Sequence, residues 1–432
     1  MSVIEHKCPR CGAHIEFDQT AQKMVCSFCD SAFDMEELLA AEDIRNPQSE
    51  DASPSAPTSK PAWDVVSGGG EVATDGEQGG LRAWTCPSCA GEIIGDANTL
   101  ATRCPYCDNN AIIASQMEGD FHPDYVIPFR KTKEDAQAAY LQNAKKRLLL
   151  PKDYATQSRL EDITGMYVPF WLYSCKAHGS FQFEATTETD QGSRIKIDHY
   201  DVQRTGTLSF NNIPADASKS INDTYMEAIE PFDYSELKAF NTAYLSGHLA
   251  DRYDVEHQEN QARITQRLER GAEEVFSEPV REHYDSCSTA ASQVDITSQD
   301  VKQAMLPVWL LNARYEDRLY SFAMNGQTGE FIGELPVSRS RQIMFGLLFL
   351  LPCILVACLL CALFIDTSGL TMALGALVGI LIDGLIIWII TKGMNTAQSV
   401  DTATNYLDAL SINYEMQDDQ FVRTTYRDKD DD

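Results

Sequence analysis

Two long apolar stretches interrupt an otherwise mixed pattern of hydrophobic and polar positions. Ile343 to Ile365 is 23 residues without a charge, and Leu370 to Ile390 is 21 residues whose one charged member is Asp383. At 1.5 Å of rise per residue, each can cross a hydrocarbon core of ~30 Å. Only Asp366, Thr367, Ser368 and Gly369 separate them. The pattern therefore predicts a tight hairpin of two transmembrane helices, 343–365 and 370–390, with both flanks on one side. A buried core helix is the competing reading of any single run, and two runs back to back favour the spans. Arg339 and Arg341 precede the first helix, Lys392 follows the second, and the connecting turn has no cation. By the positive-inside rule both flanks, and with them both termini, are cytoplasmic.

Upstream, 119–338 reads as an α+β soluble domain. Lys133 to Leu150 has helical spacing and ends at Pro151, a helix breaker. Tyr167 to Ala185 reads as extended with a turn near His178-Gly179, and Arg194 to Phe210 alternates in the same way. Asp254 to Tyr284 is helical in pattern, with Pro279 as a break near its end. Met305 to Glu334 reads as a strand hairpin with Asn325-Gly326 and Thr328-Gly329 as turn signals. Val168-Pro169-Phe170-Trp171 and Leu306-Pro307-Val308-Trp309 resemble one another and suggest two copies of one strand motif.

The cysteines bring in the chemistry. Eight of the thirteen form four C-x2-C pairs: Cys8/Cys11, Cys26/Cys29, Cys86/Cys89 and Cys104/Cys107. In both halves 14 residues separate the inner cysteines, which marks an internal duplication. A tetrahedral structural zinc needs four soft donors, two from each of two tight turns, and Gly12 after Cys11 suits such a knuckle. A redox C-x2-C would be a single pair beside a βαβ unit. The expectation is two small β zinc ribbons, 1–45 and 81–118, each closing one structural Zn²⁺, hence two ions per chain. His6 and His14 are neighbours that could substitute as ligands, though surface histidines beside complete shells are the plainer reading. No secretory leader opens the sequence, so the thiols are expected in a reducing compartment.

Residues 46–80 carry Pro47, Pro54, Pro57, Pro61 and the Gly68–Gly70 run with few large apolar side chains. This is an expected disordered acidic linker. The tail 391–432 is acidic as well, and the whole chain has a formal net charge of -29. Such a molecule repels phosphate backbones, so nucleic acid is a disfavoured partner.

No catalytic set is visible: there is no phosphate-cradling glycine loop, no G-x-S-x-G and no H-E-x-x-H. The remaining histidines lack ligand spacing, and Lys145-Lys146-Arg147 reads as a solvated basic face. Cys353, Cys358 and Cys361 lie in the first span, where cysteine packs as a small apolar residue. Gly375 and Gly379 make a G-x3-G step suited to close helix packing. Asp383 in the second span is either partner-facing and functional or tolerated near a helix end by local water.

The blocks Tyr167-Val168-Pro169-Phe170-Trp171-Leu172-Tyr173, Ile229-Glu230-Pro231-Phe232-Asp233-Tyr234, Tyr244-Leu245-Ser246-Gly247 and Ala250-Asp251-Arg252-Tyr253-Asp254 resemble a bacterial family of membrane proteins. That family is described as TFIIB-type zinc ribbon-containing. The resemblance implies a protein on the inner face of the bacterial cytoplasmic membrane, working with phage-shock-protein-A-like and SPFH-domain proteins in envelope stress. The expected function is that of a non-enzymatic membrane-anchored adaptor whose ribbons are recognition heads on a flexible linker. A zinc protein associated with nucleic acid at the membrane is the alternative.

Overall fold

The computed structural model describes residues 3–4, 6–35, 37–38, 82–85, 92–95, 98–103, 110–113, 123–145, 147–151, 163–315, 318–364, 369–392 and 402–428. The linker 46–80 and Cys86, Cys89, Cys104 and Cys107 lie outside these residues. In chain order come β1 (Val3–Ile4), β2 (Glu16–Asp18), β3 (Lys23–Val25), β4 (Ala32–Phe33), β5 (Arg82–Thr85), β6 (Glu92–Gly95), β7 (Thr99–Arg103), β8 (Asn110–Ile113) and β9 (Tyr125–Val126). The helix α1 (Lys133–Lys145), β10 (Thr164–Asp190), β11 (Arg194–Asp216), the short α2 (Asp223–Ala228), β12 (Lys238–Ala239) and β13 (Leu249–Asp251) follow. Then come α3 (Gln261–His283), β14 (Ser286–Tyr315), β15 (Arg318–Asn325), β16 (Phe331–Gly333), the apolar helices α4 (Arg339–Phe364) and α5 (Gly369–Lys392), and β17 (Asn413–Asp428).

β10 is the spine. It pairs antiparallel with β14 along nearly its whole length, with β11 on its other edge from Phe170 onward, and parallel with β13 at Met166–Tyr167. The expected turn at His178-Gly179 is absent, and the strand runs straight through. Gly179 serves packing instead: a Cβ there would lie 2.6 Å from the Phe181 ring and 3.1 Å from that of Phe276. The two similar Pro-containing blocks are cross-strand neighbours, with Val168 opposite Leu306 and Tyr167 opposite Pro307.

On one face lies α3, which buries Ile264, Leu268, Ala272, Phe276 and Val280 at helical spacing against Tyr173, Phe181, Phe183 and Phe210. Pro279 does not end this helix, which continues to His283. Pro removes one backbone bond from the ladder. Val280, fully buried, and Tyr284, nearly so, give the last turn enough contact with the sheet to offset that loss. The turn signals around Asn325 are real but join β15 to β16; the β14–β15 reversal falls at Tyr315–Arg318.

The acidic tail is not a loose appendage. β17 pairs antiparallel with β11 from Arg194↔Asp428 to Thr207↔Asn413. The join is reinforced by Arg204 on β11, mostly buried, whose Nη1 donates to Asp419 Oδ1 at 2.5 Å, while the Tyr284 hydroxyl donates to Asp419 Oδ2 at 2.9 Å. The Arg204 guanidinium holds the Asp419 carboxyl below the usual range. The segments before α4 and after α5 thus belong to one sheet.

The cysteine modules are sewn into the same body, which corrects the picture of heads hanging from a linker. β1 pairs with β8, β8 with β7, and β7 with β13. α4 and α5 meet the core only at their roots, through Phe345 and Ile390, and few of their residues are buried. This separates them from buried core helices, and they are long and apolar enough to cross a membrane.

Phe276, fully buried between the rings of Phe181 at 5.1 Å and Tyr414 at 5.3 Å, clamps α3, β10 and β17 together. Phe276→Ala should destabilise the body by ~3–5 kcal/mol. Chemical denaturation of the detergent-solubilised chain measures this, and a loss under about 1 kcal/mol would mean the site collapses without cost.

Candidate metal centre and its joints to the body

The first module is built from two matching turns. In the first, the Cys8 amide donates to Ala13 O at 2.7 Å and the Gly12 amide to Cys8 O at 2.9 Å, with Gly12 at φ +74°. In the second, the Cys26 amide donates to Ser31 O and the Asp30 amide to Cys26 O, both at 2.9 Å, with Asp30 at φ +52°. The left-handed conformation that Gly12 adopts freely is thus taken by Asp30, one of the few residue types that tolerates it. That equivalence of Gly12 and Asp30 was readable from their identical offsets after each cysteine pair, and was missed.

The turns bring four thiols together. Cys8 Sγ lies 3.7 Å from Cys29 Sγ and Cys11 Sγ 3.5 Å from Cys26 Sγ, and all four sulfurs fall within 4.8 Å of one another. Four thiolates at ~2.3 Å around a tetrahedral ion would be spaced ~3.8 Å apart, so the cluster fits one metal ion such as zinc. Cys8 and Cys26 are fully buried, Cys29 is partly so and Cys11 faces outward. The Ser31 hydroxyl and amide lower the Cys29 thiol to about 6. At Cys11 the Ala13 amide favours the thiolate, but burial and the neighbouring thiols outweigh it and raise the group to about 12. The Cys29 thiol therefore gives up its proton readily, whereas that of Cys11 needs a cation to replace it. His6 and His14 are engaged elsewhere, His6 with Thr242 Oγ1 at 3.0 Å and His14 beside Glu16 at 3.8 Å.

In the second module the paired backbones are described but the ligands are not. Thr85 pairs with Glu92 and Arg103 with Asn110, so the stretches holding Cys86/Cys89 and Cys104/Cys107 each connect two paired antiparallel strands.

The first module docks firmly. Phe17 meets Tyr244 edge to face at 5.3 Å, Gln22 Nε2 donates to Phe129 O at 2.8 Å, and Gln19 Nε2 lies 3.1 Å from His248 Nε2. Ile15, Met24 and Leu38 share one apolar cluster with Phe129, Tyr167, Leu245 and Trp309. A groove of about 790 Å³ runs along the seam, lined by Phe17, Met24 and Met35 from the module and Lys238, Phe240 and Tyr244 from the body.

A second joint escaped the sequence entirely. Arg267 on α3 forms a two-pronged pair with Glu230, Nη2 to Oε2 at 2.6 Å and Nη1 to Oε1 at 3.2 Å, and Tyr406 beyond α5 donates its hydroxyl to Glu230 Oε2 at 2.6 Å. Burial pushes the Glu230 carboxyl up to about 7, against the guanidinium and phenol that stabilise its charge. No sequence spacing links 230, 267 and 406; only the fold does.

Gly375 and Gly379 are buried against α4. A Cβ at Gly375 would lie 3.1 Å from Cys358 Cα, and one at Gly379 2.6 Å from Ile354 Cα, so the helices need both glycines to approach. Asp383 continues that stripe one turn on, with Oδ1 buried and without a hydrogen-bond partner.

The chain is similar to an uncharacterized protein, YdjG, of Bacillus subtilis (strain 168), with 29% identity over 343 residues, 78% of this chain and 92% of that protein. No family model matches the chain. No solved structure matches it either.

Replacing Cys8 by Ser should cost the chain one bound zinc equivalent and, because Phe17 and Met24 ride on the same module, loosen the seam with Tyr244. Elemental analysis and thermal unfolding of the two proteins measure both effects; unchanged metal content in Cys8→Ser would refute the assignment of these four sulfurs.

Proposed function

We propose that this protein is a non-enzymatic, membrane-anchored zinc-ribbon adaptor on the cytoplasmic face of the bacterial inner membrane, recruiting protein partners in envelope stress or membrane maintenance. The observation that carries the reading is the pairing of β17 with β11. A backbone ladder cannot be assembled from opposite sides of a bilayer, so chain entering α4 and chain leaving α5 share one compartment. Arg339, Arg341 and Lys392 at that end favour the cytoplasm. The helix pair then anchors and does little else, while the paired ribbons, each with one Zn²⁺, belong to a rigid platform.

An adaptor reading suits what the platform offers. The groove between the first ribbon and the body joins apolar Phe17, Met24 and Tyr244 to charged Lys238 and Glu37, a mixture suited to a protein segment. The net charge of -29 opposes nucleic acid and favours a partner with basic helices. The family resemblance points to phage-shock-protein-A-like or SPFH-domain proteins as that partner. Anchoring would raise the platform's effective concentration for anything already at the membrane.

The test compares the localisation of a phage-shock-protein-A-like protein in cells with and without this chain. Membrane recruitment should fall when the chain is absent and recover with wild type but not with Phe17→Ala/Phe240→Ala, which strips the groove. Equal recruitment in all strains, or tight DNA binding by the purified chain at physiological salt, would favour the nucleic-acid alternative.

A further inference from the structure

We propose that the turn after α1 is a foot that stands on the bilayer beside the helical hairpin and takes anionic phospholipid headgroups. The inference rests on the membrane-anchoring reading above. It begins with an unexplained motif, the basic run at Lys145–Arg147, and with the leucines that follow it.

The turn is fastened to the root of α4. The Ser338 amide donates to Leu149 O at 2.8 Å, and Arg341 Nη1 donates to Leu148 O at 3.3 Å. Arg341 precedes the uncharged run at Ile343 by two residues, ~3 Å of helical rise. The turn therefore lies at the level where the first span enters the membrane. Phe345 and Ile390, at the two roots of the hairpin, pack on the same apolar cluster that holds Leu149 and Leu150. The body is seated directly on the base of the hairpin, with no spacer to lift it off.

Leu149 and Leu150 are buried, but Leu148 between them and Arg147 is 51% exposed, as are Ile343 at 65% and Met344 at 54% next along the helix. An exposed leucine at a soluble surface gains nothing; at an interfacial depth it gains a lipid neighbour. The charges near it along the chain, and along the root of α4 to which it is fastened, share one sign. Lys145, Arg147, Arg339, Arg341 and Lys392 gather here, and no Asp or Glu occurs between Ala136 and Pro151 or between Leu335 and Phe364. In a chain of net charge -29 that segregation is the reverse of the whole-molecule balance. Lys392 also lies 5.2 Å from the ring of Trp388, an amphipathic pair suited to headgroup depth. Cations held at this level attract anionic headgroups within about a Debye length.

The test uses the full chain in vesicles of phosphatidylcholine with or without phosphatidylglycerol, and a Leu148→Trp variant read as a difference from wild type. Leu148 is half exposed, so the larger ring imposes no core strain, and retained zinc content verifies folding. Brominated lipid should quench the added tryptophan, roughly twofold more per bromine when phosphatidylglycerol carries it. Adding Lys145→Glu and Arg147→Glu should abolish that preference while leaving Trp388 quenched. An unquenched Trp at 148 overturns the foot, and equal quenching by both lipids overturns the headgroup preference. Failure of the anchoring reading itself looks different: Trp388 would be unquenched and alkaline carbonate would strip the chain from the vesicles.

Discussion

The arrangement depends on one ladder, the antiparallel pairing of β17 with β11. It makes a continuous sheet from segments that lie on either side of the two apolar helices in sequence. Backbone hydrogen bonds of that kind must form in one compartment, so if the helix pair crosses a membrane, as proposed, it does so as a closed excursion of the chain. The ladder does not act alone. Arg204 and Tyr284 grip Asp419 on β17, and Glu230 with Arg267 grips Tyr406 just before it. The second of these is buried, a geometry in which removing one partner costs far more than the pair contributes. Its value is then registry: the polypeptide that returns from α5 can dock in one place.

The first cysteine module, whose strands β2–β4 form a small sheet of their own, obeys the same logic. Its two turns preassemble four sulfurs, and its strands present Phe17 and Met24 to the body. An ion bound by these sulfurs would couple metal binding to docking, since it would close the module whose apolar face completes the core. Two blocks on which the family resemblance rests fall at these joints: Glu230 holds the returning tail, and Tyr244-Leu245 receives the cysteine module.

Features with a local signature were legible in the sequence. Run length alone marks the apolar helices, and spacing alone marks the first cysteine set. The G-x3-G step found its packing partner for the same reason, as did the strand character of the segments around Val168 and Leu306. What failed depended on distant neighbours. His178-Gly179 imitates a turn, yet the rings of Phe181 and, almost a hundred residues on, Phe276 occupy the space a side chain there would need. Pro279 imitates a helix end, but Val280 and Tyr284 beyond it are held by the sheet. The tail was judged by its acids, although Phe421, Val422, Thr424, Thr425 and Tyr426 form a β-favouring run within it. The docking of the first module left no periodic trace, because its apolar residues Ile15, Phe17, Met24 and Leu38 are scattered over short strands and turns, and its polar joints are single contacts such as Gln22 to Phe129 and Gln19 to His248.

The most direct measurement cuts the chain between α5 and β17. A specific protease site inserted within 393–401 would leave the segment that begins at residue 402 held to the body by non-covalent contacts alone, β17 and Tyr406 foremost. After cleavage of the purified chain, the fragment should remain bound through size-exclusion chromatography and separate only under denaturing conditions. A fragment that elutes on its own from the natively folded body would contradict the ladder, and with it the single-sided hairpin on which the account stands.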